Sequence, residues 1–193
     1  MNDAHTLEIW HRIRSAPNHT GTTLEAHMEG TASLLQAWGQ RRCVELAGRY
    51  HAVYGNPGGR APICSTDSPE LATEIGDEAE CLVRLWSWVK RESLAQAVRA
   101  YCTGEDPVML VAATGEPIPA TRQQYLDLAH LYTANAIEVC SRGSSRRVRE
   151  TVQGLRPVLC SDAVATLNEY RQRPWPVRRL ATLRKQVRGW IAS

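Results

Sequence analysis

Apolar residues recur at three- and four-residue spacing along most of this chain, and that spacing predicts helices rather than strands. Leu7, Trp10, His11 and Arg14 share one face of a short helix over 4–14, which Ser15-Ala16-Pro17-Asn18 ends. Thr22 with Glu25 three residues on has the form of a capping box, so a second helix starts near Leu24. It carries Leu24, His27 or Met28, Thr31, Leu34, Leu35 and Trp38, and Gly39 stops it. A third helix, about 42–54, sets Val44, Ala47, His51 and Tyr54 on one stripe. The Gly55-Asn56-Pro57-Gly58-Gly59 loop follows, with unusual backbone freedom.

Ser68-Pro69 opens a helix over 69–76, and Gly76 breaks it from the next, about 77–90, built on Ala79, Leu82, Val83, Leu85, Trp86 and Val89. Residues 92–102 continue as helix. Val108-Met109-Leu110-Val111, inside a Gly- and Pro-rich stretch over 103–120, is the one strand-like run, with a loop segment the equal alternative. Thr121 with Gln124 is a second capping box and opens a long helix through Leu126, Ala129, Leu131, Ala134, Ile137 and Val139. Arg142-Gly143-Ser144-Ser145 reads as a hinge, followed by helices near 145–155, 162–172 and 176–191. The expected fold is all-α: a helical core over 1–140 and a basic helical extension over 141–193, packed on the core or on a partner subunit.

Composition narrows the class. The chain has 193 residues, 43% hydrophobic and 22% charged, which suits one globular domain with a real core. No run approaches the roughly 18 apolar residues that span a bilayer, and the polar, charged first residues do not read as a secretory signal. A cytoplasmic location is expected. The six cysteines show no CxxC pair and read as buried small side chains. Charge is uneven: residues 141–193 hold 12 Lys/Arg against 3 Asp/Glu. Such a tail suits solvated helix faces, an acidic partner or an anion. It lacks a zinc-finger or helix-turn-helix pattern, which weighs against nucleic acid. Its Trp175 and Trp190 faces suit a homodimer.

Two histidines stand out because each sits inside an apolar or small-residue helical pattern. His27 begins His27-Met28-Glu29-Gly30-Thr31, which runs on to Leu34-Leu35 and Trp38-Gly39. His51 lies in Ala47-Gly48-Arg49-Tyr50-His51-Ala52-Val53-Tyr54-Gly55. Ala134-Asn135 and His130 lie on the long helix, with Asp127 one turn earlier. Three antiparallel helices could bring these together.

In this order the chain resembles the HD-domain superfamily over about residues 19–140. More narrowly it is similar to a branch reading H-x-x-G-T-x-x-L-L-x-x-W-G and A-G-x-[FY]-H-x-x-Y-G. The resemblance implies an HD-like helical bundle. It also implies a site at which the wider superfamily binds one or two divalent metals and usually hydrolyses phosphate esters, some members using iron with dioxygen. His27 falls at the first histidine, His51 at the histidine of the HD pair, Ala52 at its aspartate and Asn135 at the last aspartate. Both carboxylates are therefore replaced, and hard or borderline divalent metals want anionic oxygen donors.

The expectation that follows is a small-molecule enzyme without a cofactor, on a repurposed cavity. His27, His51, Tyr54 and Asn135 would carry acid–base chemistry (cyclisation, elimination, isomerisation or hydrolysis). Thr31, Arg60, Glu80, Arg84 and His130 are the candidate substrate-binding residues, Glu80–Arg84 being equally readable as a surface helical ion pair. One alternative is a metal-dependent hydrolase or oxygenase (iron, manganese or zinc) with ligands drawn from His19, His27, His51, His130 and Asp127. Another is a non-catalytic binding protein that uses the tail.

Overall fold

A computed structural model describes residues 9–14, 23–55, 62–66, 69–140 and 146–172, without the side chains of Cys140, Arg146, Arg147 and Tyr170–Gln172. The fold is all-α, with one small hairpin among the described residues. After α1 (residues 9–14) come α2 (Leu24–Ala37), α3 (Arg42–Tyr50), α4 (Glu70–Ile75), α5 (Asp77–Trp88), α6 (Arg91–Gln96) and α7 (Val98–Thr103). Strands β1 (Val108–Val111) and β2 (Pro117–Ala120) precede the 19-residue α8 (Arg122–Cys140), and α9 (Arg146–Leu155) and α10 (Ser161–Gln172) follow.

Local chemistry sets these boundaries. The hydroxyl of Thr23, not Thr22, caps α2 by accepting from the Ala26 N–H at 3.1 Å. Gly39 ends that helix in the left-handed region, at φ +63°, where a side chain would strain the backbone. At α8 the capping box is reciprocal: Gln124 N–H donates to Thr121 Oγ1 at 3.2 Å, and Thr121 N–H donates to Gln124 Oε1 at 2.9 Å. The strand-like run is a strand. It pairs antiparallel with β2, Val108 opposite Ala120 and Val111 opposite Pro117.

Helix α8 is the axis of the fold. Tyr125, Leu128, Ala129, Leu131, Thr133 and Ala134 on it are fully buried, because α2, α3, α5, α6, α9 and α10 all pack around it. An apolar helix of this kind lies inside a bundle rather than on its surface. Helices α2 and α3 approach closely at Gly48, where an added Cβ would sit 2.5 Å from Leu35 Cδ1. Of the basic extension, α9 packs on α6 and α8, and α10 on α8. The expected hinge at 142–145 and helix at 176–191 lie outside the described residues. The third helix is shorter than its periodicity suggests: it ends at Tyr50, and residues 51–54 continue as turns. Among the described residues no helix is long and apolar enough to cross a membrane.

Candidate functional site

His27 leaves α2 from its buried face, and His51 caps the C-terminus of α3. They are 6% and 3% exposed, and their Nε2 atoms lie 3.2 Å apart with ring planes at 83°. Each ring is fixed at its other nitrogen. His51 Nδ1 lies 2.7 Å from the Gly48 carbonyl oxygen, and His27 Nδ1 lies 2.9 Å from Glu138 Oε2. Glu138 comes from α8 and crosses to α2 because position 30 is glycine. A Cβ there would stand 2.8 Å from Glu138 Cγ.

The partners decide where the protons are. The Gly48 carbonyl can only accept, so His51 Nδ1 carries a hydrogen. Burial, then the charge of a protonated His27, pushes His51 down to about 3; Arg91 adds to this, and hydrogen bonds to Gly48 and Asn135 oppose it. Near neutral pH His51 Nε2 is therefore a bare lone pair, and His27 Nε2–H must donate to it. One more proton then lies between His27 Nδ1 and Glu138 Oε2. Whether it is drawn on the imidazole or the carboxyl, the Glu138–His27 pair is neutral overall, so it can be buried without a bare charge.

The surroundings hold this line in place. The Trp86 ring meets His51 edge-on at 5.5 Å, and the Arg91 guanidinium lies over that same Trp86 ring, 3.6 Å from its centroid. Arg91 also donates to the carbonyls of Trp86 and Val89 at the end of α5. Burial lowers Arg91 to about 9, still protonated at neutral pH. Thr31 is fully buried and donates to the His27 carbonyl oxygen at 3.0 Å.

Several expected members lie elsewhere. Tyr54 does not join the histidines: its hydroxyl donates to Glu80 Oε1 at 2.7 Å. That oxygen also accepts from Arg84 Nε at 3.0 Å and Nη2 at 2.7 Å. Glu80 is thus a buried carboxylate with three donors rather than half of a surface ion pair. His130 lies apart from the two histidines in the hydrogen bonds it makes. Its Nδ1–H donates to the Leu126 carbonyl at 2.8 Å, and its Nε2 accepts the Cys160 N–H at 3.0 Å, tying α8 to the start of α10. Asp127 is engaged by Arg41 Nη2 at 2.5 Å and Gln123 Nε2 at 2.9 Å. The Asn135 side chain favours the protonated form of His51. Arg60 and His19 lie outside the described residues.

Sequence reasoning missed Glu138. The available signals were a lone acidic residue in the apolar 131–139 stretch and a glycine one turn after His27. A divalent metal would find two imidazole nitrogens here, with the Glu138 carboxylate on the far side of His27. Among the described residues no three or more His, Cys, Asp or Glu side chains come together as a metal-holding group. Imidazole donors without a carboxylate among them are poor ligands for a hard divalent ion such as magnesium or calcium.

Residues 9–91 match a family described as a domain of unknown function, DUF6817. That stretch takes in α1 to α5 and both histidines, but neither Asn135 nor Glu138. No curated protein and no solved structure matches the chain.

Proposed function

We propose that this chain is a small-molecule enzyme whose chemistry is metal-independent proton transfer by a Glu138–His27–His51 relay. The observation that carries the reading is His27, whose two ring nitrogens each meet a proton-exchanging partner, Glu138 at 2.9 Å and His51 at 3.2 Å. A ring held between a carboxyl group and a second imidazole can take a proton at one nitrogen and release one at the other. The line therefore takes a proton from one atom of a bound organic molecule and returns it to another. Returned to carbon or oxygen, the proton gives an isomer; returned to a hydroxyl leaving group, it gives an elimination with loss of water. No electrons leave the substrate, so no redox partner is needed.

Burial favours this chemistry by excluding bulk water and strengthening each hydrogen bond. His27 and Glu138 keep a thin exposed edge, with side chains 8% and 9% accessible. The reading retains two histidines of the expected acid–base set and replaces Tyr54 with Glu138. It includes a cytoplasmic location, in keeping with Cys43, Cys64, Cys81, Cys102 and Cys160 forming no disulfide.

The test is untargeted. Chelator-treated wild type and Glu138→Gln protein are each incubated with a mixture of cellular small molecules, and mass spectrometry follows depletion. The expected result is a compound converted by wild type to a product of equal mass or lighter by one water. Glu138→Gln should slow that conversion by about 10²–10⁴-fold. Equal turnover by both proteins, no turnover by wild type, or turnover only after a divalent metal is added overturns the reading.

A further inference from the structure

A cavity of about 820 Å³ lies between the 51–54 turn, the end of α5 and the β1–β2 hairpin, and the histidine relay does not line it. Its volume falls in the range of small-molecule sites, which run to about 1,000 Å³. The apolar walls are Trp88, Pro62, Pro117, Ile118 and Pro119. Trp88 is 46% exposed, so its indole is open to a bound molecule.

Apart from the Thr66 hydroxyl, which can donate or accept, the polar lining is one-sided. Tyr54 donates its hydroxyl hydrogen to Glu80, Ser87 donates to the Arg84 carbonyl at 2.7 Å, and Thr114 donates to Glu116 Oε2 at 3.3 Å. The Ala112 and Ala113 N–H groups are spent on the carbonyls of Glu116 and Trp88. The three prolines have no N–H to give. What these groups still offer is acceptor lone pairs and the Glu116 carboxylate. No Lys, Arg or His is among the described lining residues. An anion would find little to pair with, whereas a hydrogen-bond donor with one positive charge would find a carboxylate, several acceptors and the face of an indole.

We propose that this cavity binds a planar aromatic molecule carrying a single basic amine, its ring against Trp88 and its ammonium group toward Glu116. The inference does not depend on the relay, which shares no residue with the cavity.

Isothermal titration calorimetry tests it with three probes of similar size: cationic 9-(aminomethyl)anthracene, neutral 9-anthracenemethanol and anionic 9-anthracenecarboxylate. The expected order is cation tightest, by roughly tenfold over the neutral probe, with the anion weakest. Glu116→Gln should erase the preference for the cation while leaving the neutral probe unchanged, and Trp88→Ala should weaken both by roughly tenfold. Both side chains are solvent-exposed, and thermal unfolding of each variant verifies its fold. Equal affinity for cation and anion, or a preference that survives Glu116→Gln, overturns the proposal.

Discussion

Gly30 on α2 is the opening through which Glu138 on α8 reaches His27: a Cβ at position 30 would lie 2.8 Å from Glu138 Cγ. Gly30→Ala therefore sets two effects against each other. Alanine gains about 1 kcal/mol of helix propensity, while the clash costs about 1–3 kcal/mol. Net stability should fall by no more than about 2 kcal/mol in urea unfolding. The Glu138 carboxylate should nevertheless move off His27, which ¹⁵N NMR of the His27 ring will register as a changed Nδ1 signal. An unchanged signal would show that the glycine is not what admits Glu138.

Glu138 variants separate structure from chemistry. In Glu138→Gln the new amide can donate to His27 Nδ1, while His27 Nε2–H still donates to His51. Stability should stay within about 1 kcal/mol of wild type, with proton transfer lost. Glu138→Ala leaves the buried His27 Nδ1 unpaired and should cost about 1–3 kcal/mol. Chemical denaturation of the pair, read beside turnover of the identified substrate, checks both.

Acid should unfold this protein partly through His51. Its folded pKa is lowered to about 3, against about 6.5 in the unfolded chain. Between those values the unfolded state binds more protons, so stability is full above about 6.5 and falls as pH falls, by about 1.4 kcal/mol per unit. His130, also lowered by burial, acts in the same direction. Glu74, whose carboxyl burial raises, acts oppositely, losing stability as pH climbs above about 4.5. His51→Gln should therefore flatten the stability profile between about pH 4 and 6 relative to wild type. Parallel slopes in urea titrations at several pH values would contradict this.

His130 and Arg41 should matter for folding and not for proton transfer. His130→Leu removes the acceptor of the Cys160 N–H and the donor to Leu126, for a loss of about 1–3 kcal/mol. Arg41→Met strips the buried Asp127 of its charged partner and should cost a similar amount. Thermal unfolding measures both. The His27 ring signals in ¹⁵N NMR should stay where they are in wild type, which a place for either residue in the relay would not allow.

Helices were legible in the chain wherever local rules act alone. The three–four periodicity of α2, α5 and α8, the Thr121–Gln124 capping box and the stop at Gly39 depend on residues within one or two turns of each other. The burial of His27 and His51 was legible for the same reason, since a histidine on an apolar stripe is visible without knowing its neighbours. Who meets them was not. Glu138 is 111 positions from His27, and only the packing of α8 on α2, with the space left by Gly30, brings them together. Tyr54 shows the converse. One turn from His51 in sequence, it belongs to Glu80, because α3 ends at Tyr50 and the turn that follows swings the ring away. Spacing along one helix is set by its own hydrogen bonds, but contact between helices is set by which side chains fill the gap between them.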